Sequence, residues 1–174
     1  MKSRSAALKA GPREKLSILV AERPARSRIK KREIKRLTQE IVDAIKDPPS
    51  FRHGVRGSVS ILFCHDDFIQ DLNRDYRGKD KPTDVLSFAM GDGDEETPSL
   101  GDIVISLETA ARQHGKYHTS YPEEIVRLLV HGLHHLLGFD HEGVSRAVAQ
   151  RMRRSEDAVF ALVRDRASGV VKVE

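Results

Sequence analysis

The hydrophobic positions between residues 120 and 141 predict a helix that is buried on almost every face. Ser120, followed three residues later by Glu123, has the form of a capping box, which favours a helix start at Ser120. Gly138 suits the turn that ends such a helix. Apolar residues occupy a stripe at helical spacing and also the other faces, namely Ile125, Leu128, Leu129, Leu133 and Leu136, then Val126, Val130 and Leu137. A helix with this pattern is expected in the centre of a domain.

Three histidines lie in this helix and just after it, in the pattern H-x-x-x-H-x-x-G-x-x-H. His131 and His135 are four residues apart, so their rings lie roughly 40° apart around the helix axis and one turn apart along it. The turn at Gly138 brings His141 back towards them. Imidazole suits zinc and also nickel, copper or iron, and three protein ligands leave a fourth position open for chemistry. The pattern therefore predicts a catalytic metal site.

Two further residues of the helix bear on the chemistry of this site. His134 lies roughly 60° from His131 on the other side, and we interpret it as a packing or supporting residue rather than a ligand. In zinc peptidases with this histidine spacing, the residue after the first histidine is a glutamate that acts as the general base. Here that position is Gly132, which cannot transfer a proton. The site has the spacing of a metallopeptidase without its base.

Shorter patterns along the rest of the chain predict strands that alternate with helices. Val59, Ile61 and Phe63 alternate with serines, as expected of a half-buried strand. Asp66 or Asp67 is expected to cap the next helix. Other predicted elements are strands at 16–20, 84–90 and 102–106, a helix from about Ser27 to Ile45, a helix whose apolar face is Phe68, Leu72 and Tyr76, a short helix ending near His114, and a last helix marked by Val148, Met152, Val159 and Leu162 that ends near Arg166. This order predicts a single α+β domain, in which a mixed sheet of about four strands packs against helices and the histidine helix is central.

Polar stretches suggest where this domain begins and ends. We predict a basic flexible tail at residues 1–13, the domain at 14–168 and a short tail at 169–174. The acidic loop at 91–99 lacks the glycine and the terminal glutamate of a calcium loop, so we expect no metal there.

The segment 23–36 is strongly basic, with eight lysines or arginines against the single acid Glu33. A helix is predicted to begin within it, and cations at a helix N-terminus oppose the helix dipole. Two interpretations remain equally open. The segment either binds an external anion such as RNA phosphate, or it is a charged face that water solvates.

The composition is that of a globular protein, with 39% hydrophobic and 32% charged residues. No apolar run approaches membrane length, and the first residues lack the apolar centre of a signal peptide. The single cysteine, Cys64, excludes an internal disulfide and a thiolate zinc cluster, and it fits a reducing cytoplasm, which is the expected location. The formal charge of +4 favours polyanionic partners.

Three motifs taken together resemble the YbeY family, bacterial metal-dependent endoribonucleases linked to rRNA maturation. The motifs are H-G-L-H-H-L-L-G-F-D-H at 131–141, Y-R-G-K-D-K-P-T-D-V-L-S-F at 76–88 and L-G-D-I-V-I-S at 100–106. The chain departs from the family pattern at His134, where an aliphatic residue is usual. Its N-terminal extension is also longer and more basic than expected.

The resemblance implies hydrolysis of single-stranded RNA, 3′-end processing of small-subunit rRNA, and ribosome quality control. The implied partners are the small ribosomal subunit and its assembly factors, with no DNA and no membrane. It also implies one zinc ion per chain at His131, His135 and His141, and a functional arginine at Arg77. We place Arg77 and His131 in the catalytic group, because a guanidinium beside a metal suits the charge that develops in phosphoryl transfer.

Several alternatives stay open at this point. Asp140 is either an acceptor for an imidazole N–H or a cap of its own turn. Ser87 and His114 are candidates to line the cleft. A zinc metallopeptidase is favoured by the histidine spacing and opposed by Gly132. A non-catalytic assembly factor is the third candidate, in which the metal holds the turn and the basic face binds rRNA.

Overall fold

The computed structural model describes residues 16–23, 28–50, 55–90 and 99–172. The predicted tail at 1–13, Arg26 and positions 91–98 of the acidic loop lie outside the described residues. Strands and helices alternate through the first half of the chain, and helices make up most of the second half. Short 3₁₀ turns lie at His114–Tyr117, before the histidine helix, and at Arg164–Gly169, after the last helix. The elements are β1 (Ser17–Arg23), α1 (Lys31–Ala44), β2 (Ser58–Cys64), α2 (Asp66–Arg77), β3 (Val85–Ala89), β4 (Ser99–Ser106), α3 (Leu107–Gln113), α4 (Tyr121–Leu136) and α5 (Arg146–Val163).

The four strands form one mixed sheet in the order β1-β2-β4-β3. β1, β2 and β4 are parallel, and β3 runs antiparallel to β4 at the edge of the sheet. The prediction of a single α+β domain with a four-stranded mixed sheet is confirmed. Among the described residues, no helix is both long and apolar enough to cross a membrane.

Helices cover the two faces of the sheet unequally. The main core joins α1, α4 and α5 to one face of the sheet. Ten residues of α4 are buried, and seven of them are apolar residues of this core. A Cβ added at Gly132 would lie 2.9 Å from Cγ2 of Ile103 on β4, so glycine allows α4 to approach the sheet closely. On the other face, α2 forms a small second cluster through Ile69, which lies with Leu86 and Val104 of the sheet. The histidine helix is central, as predicted.

Tertiary contacts bear on two predicted boundaries, the start of the first helix and the end of the domain. α1 begins at Lys31 rather than near Ser27, because β1 continues to Arg23 and Ile29 forms a bridge with Val171. Next to that bridge Val170 is fully buried, so residues 170–172 contact the domain. The boundary at residue 168 stays a prediction, but the chain just beyond it is packed.

Three details of the predicted helices are wrong. The expected cap of α2 was Asp66 or Asp67, but both lie inside its first turn and His65 is the N-cap residue. The Asp66 carboxylate instead accepts hydrogen bonds from the hydroxyls of Ser106 and Thr109. The buried residues of α2 are Ile69 and Asn73, whereas Tyr76 is 69% exposed. α5 ends at Val163. Of the apolar residues that mark this helix in the sequence, Val148 and Leu162 are exposed, whereas Met152 and Val159 are buried together with Val163.

Candidate metal centre

α4 and the turn after it bring the three predicted histidines together. One nitrogen of each of His131, His135 and His141 lies within 4.8 Å of the others. Ring centroids are 4.7 Å apart for His131 and His135, 5.2 Å for His131 and His141, and 5.0 Å for His135 and His141. All three side chains are partly exposed, so a substrate can reach them even though most of the helix is buried.

Local hydrogen bonds at both ends of α4 fix these histidines in place. At the start, the Ser120 hydroxyl accepts the backbone N–H of Glu123, and the Glu123 carboxylate accepts the backbone N–H of Ser120 at 2.6 Å, which completes the predicted capping box. At the end, Gly138 adopts a φ of 89° and its N–H donates to the carbonyl of His135 at 3.0 Å. A φ in this range is readily adopted only by glycine, and it reverses the chain so that His141 returns to the helix.

Asp140 stabilises the turn that carries the third histidine. Its Oδ1 accepts the backbone N–H of His141 at 2.7 Å and that of Glu142 at 2.9 Å. The bond from the Glu142 N–H is the main cause that holds the pKa of Asp140 below its usual value. Of the two roles considered for Asp140, the structure shows the turn cap.

Glu156 on α5 orients the first histidine, and the sequence patterns did not reveal it. Its Oε1 lies 2.7 Å from Nδ1 of His131. Burial raises the pKa of Glu156, but the hydrogen bond with His131 and the electrostatic effect of the neighbouring histidines together more than offset this, so the net shift is downward and the group is a carboxylate. A carboxylate only accepts, so Nδ1 of His131 must carry the proton, and Nε2 keeps its lone pair for a metal. The signal in the sequence that could have indicated Glu156 is an acidic residue one helical turn after Met152, on the side of α5 that is buried.

Glu156→Gln is therefore expected to weaken zinc binding about 10- to 100-fold, because the amide is a poorer acceptor and holds the imidazole less firmly. Isothermal titration of zinc into the metal-free protein measures this directly. Asp157→Asn, at the exposed neighbouring position, is the matched control and should bind as wild type does. If Glu156→Gln and wild type bind zinc with equal affinity, Glu156 does not support the metal site.

His134 uses both of its ring nitrogens within the protein. The side chain is fully buried, with Nδ1 2.8 Å from the Val130 carbonyl oxygen and Nε2 2.9 Å from Oγ of Ser155. Burial lowers its pKa, so the ring is neutral; Nδ1–H donates to the carbonyl and Nε2 accepts the serine hydroxyl. This arrangement favours the packing role expected for His134 over a ligand role.

The properties of His131, His135 and His141 suit a metal ion. Burial lowers the pKa of His135 to about 4, with the neighbouring His131 and His141 as further causes, so the ring is neutral and can donate a lone pair. Nδ1 of His141 is buried and has no hydrogen-bond partner among the described residues. A buried polar atom without a partner is unfavourable, and an ion bound between the rings is one way to satisfy it. Three imidazole side chains converging on one point are a ligand set that suits zinc.

Arg77 contacts the residue that follows the third histidine. It is the last residue of α2, and Gly78 follows it in a left-handed conformation. Its Nη2 lies 3.2 Å from Oε2 and 3.3 Å from Oε1 of Glu142, the residue that directly follows His141. The sequence motif pointed to Arg77 but not to Glu142 as its partner. The structure thus brings Arg77 next to the turn that carries the third histidine.

A buried asparagine anchors the loop behind Arg77. Asn73 is 2% exposed, and its Nδ2 donates to the Lys81 carbonyl at 2.8 Å, while the Lys79 backbone N–H donates to the Asn73 carbonyl. These bonds fix the path of the chain from α2 into β3. No contact of the two candidate cleft residues, Ser87 and His114, connects them to the histidine cluster among the described residues. Ser87 is half-buried on β3, and Nδ1 of His114 lies near the Thr119 carbonyl oxygen before α4 begins.

Comparison with known proteins agrees with this fold and site. A family model described as "Endoribonuclease YbeY" matches residues 20–164. Endoribonuclease YbeY of Pelotomaculum thermopropionicum is 49% identical over 113 residues, which cover 62% of this chain and 73% of the relative. That of Geobacter sulfurreducens is 36% identical over 151 residues, which cover 85% of this chain and 96% of the relative.

The solution structure of TM1509 from Thermotoga maritima has the same fold. It superposes with a TM-score of 0.53 at 22% sequence identity and covers 86% of this chain and 93% of its own. At that identity the likeness supports the fold alone. The family is assigned from the family model, whose match at residues 20–164 spans both Arg77 and the histidine turn, and from the relative that is 36% identical over 85% of the chain. The chain belongs to the endoribonuclease YbeY family.

Proposed function

We propose that this protein is a metal-dependent endoribonuclease that cleaves single-stranded RNA. One zinc ion per chain is held by His131, His135 and His141, and Arg77 acts beside it. The observation that supports this most strongly is the cluster of three imidazole nitrogens within 4.8 Å of one another, next to an arginine on the adjoining turn. Membership of the endoribonuclease YbeY family gives the reaction class.

Arg77 supplies the positive charge that phosphodiester hydrolysis requires. Negative charge accumulates on the phosphoryl oxygens in the transition state, and a planar guanidinium can donate to two of them at once. In the free protein, Glu142 accepts the same N–H groups and holds the guanidinium beside the histidine turn. RNA phosphate replaces that carboxylate when substrate binds.

The three histidines would hold the ion, and three protein ligands would leave a fourth position open. A zinc ion held there would lower the pKa of a water molecule or of a substrate 2′-hydroxyl, which would supply an attacking group without a protein base. His131 contributes to catalysis as a ligand that Glu156 keeps in one orientation. His135 stays neutral because burial lowers its pKa to about 4.

A metallopeptidase is disfavoured by the position where its base would stand. The residue after the first histidine is Gly132, and a Cβ there would meet three side-chain atoms of Ile103 within 3.2 Å. A side chain at 132 would therefore point into the sheet rather than towards the histidines. The chain has no carboxylate at this position to activate water for peptide hydrolysis.

We further propose that the natural substrate is the 3′ end of small-subunit rRNA, with the small ribosomal subunit and its assembly factors as partners. The net charge of +4 supports a polyanionic partner. The competing function is an assembly factor that binds rRNA without cleaving it, in which case the ion only stabilises the turn.

One assay separates these functions. Zinc-loaded protein, purified free of contaminating ribonucleases, is given labelled single-stranded RNA, the matching duplex and a peptide library, each with and without a chelator. We expect cleavage of the single strand alone, and its loss with chelator. Peptide cleavage would support the peptidase, and RNA binding without cleavage would support the assembly factor.

The basic segment 23–36 is a candidate second contact for RNA. Its described part places Lys30, Lys31 and Arg32 at the start of α1. They line a cavity of about 490 Å³ together with Lys172 and the acids Glu22 and Glu33. Backbone N–H groups at a helix start and lysines around them suit phosphate oxygens. Lys31 also lies 3.6 Å from Glu22, so part of its charge is already balanced.

Replacing Arg26, Lys30 and Lys31 together by glutamine is expected to flatten the dependence of RNA affinity on salt. Each lost phosphate contact should reduce the slope of log affinity against log salt by about 0.7 for a single strand. Replacing the exposed Lys116, Arg153 and Arg154 by glutamine changes the net charge equally and is the control. If both triple variants keep the wild-type slope, the segment is only a solvated face.

A further inference from the structure

Tyr76 is an aromatic side chain that the fold does not bury. It lies at the end of α2 and is 69% exposed, although Phe68 and Leu72 on the same predicted face pack against the second cluster. Its ring meets Phe88 of β3 with centroids 5.0 Å apart and planes at 65°. This edge contact holds the ring in one place and leaves most of its surface to solvent.

The position of Tyr76 connects it to the candidate metal centre. It directly precedes Arg77, whose guanidinium lies 3.2 Å from the carboxylate of Glu142 beside the third histidine. Phe88, which supports Tyr76, lies on β3, the edge strand of the sheet. Met90, just past the end of that strand, is 62% exposed. An apolar, partly aromatic surface therefore continues from Arg77 around the sheet edge.

Acidic side chains lie near Tyr76 along α2 and in the loop after it. Arg74, one turn before Arg77 on α2, is held by Asp71 at 2.8 Å and Asp75 at 3.2 Å, and Asp80 lies 3.9 Å away. These acids offset the charge of Arg74, so the cations that remain for RNA phosphates here are Arg77 and the loop lysines Lys79 and Lys81. Tyr76 itself carries no charge, so the part of an RNA strand that suits its exposed ring is the base.

We propose that Tyr76 stacks on an unpaired base of the RNA strand whose phosphate contacts Arg77. This inference rests on the proposed endoribonuclease function and adds a base-recognition subsite to it. Stacking on an exposed aromatic ring is a common means of binding single-stranded RNA, and it accepts every base because each has a π-face. In a duplex, the bases are already stacked on one another, so this subsite selects single strands.

Tyr117 offers a matched control within the same chain. It is also exposed, at 50%, but the guanidinium of Arg127 lies 4.0 Å from its ring centroid and covers one face. Its ring is thus already engaged by a cation. Substitution at Tyr117 changes an exposed tyrosine without removing the proposed subsite.

The test measures binding of a labelled single-stranded RNA and of a ribose-phosphate oligomer of equal length without bases. Measurements use full-length, zinc-loaded protein that retains Arg77, with rapid mixing so that binding is recorded before cleavage. Tyr76→Leu, which keeps an apolar cover over Phe88, is expected to weaken RNA binding about 5- to 150-fold and leave binding of the base-free oligomer unchanged. Tyr76→Phe and Tyr117→Leu should bind both ligands as the parent does.

Two results would overturn the inference: unchanged RNA binding by Tyr76→Leu, or an equal loss for RNA and for the base-free oligomer. The first would mean that Tyr76 only covers Phe88, and the second that it supports a backbone contact. Wild-type cleavage of RNA is measured alongside. If wild type fails to cleave while base-dependent binding still requires Tyr76, the proposed function fails and the stacking site stands.

Discussion

Replacing Arg77 with alanine is expected to slow RNA cleavage by on the order of 10²–10³, while the protein still folds and keeps its metal. The guanidinium meets charge that is greater in the transition state than in the bound substrate, so its loss appears in the rate more than in affinity. We expect RNA binding within several-fold of wild type. Single-turnover cleavage of a labelled single strand, with metal content and binding measured for each variant, checks this.

The fold should tolerate the change because Arg77 contributes little to stability. Its side chain is 37% exposed and its partner Glu142 is 66% exposed, and ion pairs between exposed groups contribute about 0–1 kcal/mol. Arg77→Lys should restore only part of the rate, since an ammonium lacks the planar fork that spans two phosphoryl oxygens.

Arg74→Ala is the matched control for Arg77. It lies three residues earlier on α2, is 47% exposed, and pairs with Asp71 rather than with the histidine turn. We expect it to cleave at the wild-type rate. If Arg74→Ala and Arg77→Ala slow cleavage equally, the effect comes from overall charge, and if neither does, Arg77 is not catalytic.

His135→Ala is expected to remove most of the bound zinc and with it most of the cleavage. Two imidazoles make a poor zinc site, so the loss should exceed the 10- to 100-fold typical of residues that only support a ligand. Elemental analysis after dialysis gives the metal content per chain, and single-turnover assays give the rate. The protein should stay folded, because His135 is partly exposed at the end of a helix that is otherwise well buried.

His134→Leu is the control for the ligand variants. Both nitrogens of His134 are bonded to Val130 and Ser155, so this variant should keep about one zinc per chain. His141→Ala should lose the ion as His135→Ala does. If His134→Leu empties the site while His141→Ala does not, the ligand assignment is wrong.

The sequence predicted the features of this protein that depend on local patterns. α4 was predicted because its cap, its apolar positions and its terminal glycine lie within one continuous stretch. The histidine cluster followed, since two ligands share one helix and the third is a short turn away. A local pattern is enough when both partners belong to the same or the next element.

Features that depend on distant parts of the chain were missed. Glu156 meets His131 across 25 residues and Glu142 meets Arg77 across 65, and no spacing rule connects them. The start of α1 was placed too early for the same reason, because the bridge between Ile29 and Val171 joins opposite ends of the chain. Tertiary contacts override local helix propensity at such positions.

The most direct test of the account is a zinc titration of the metal-free protein, followed by its cleavage of single-stranded RNA. Chelator-treated protein should be inactive, and activity should return in proportion to zinc until about one ion is bound per chain, consistent with three ligands at one open site. His135→Ala, titrated in parallel, should not recover. Full cleavage by metal-free wild type, or zinc-loaded wild type that binds the RNA without cutting it, would contradict a metal-dependent endoribonuclease.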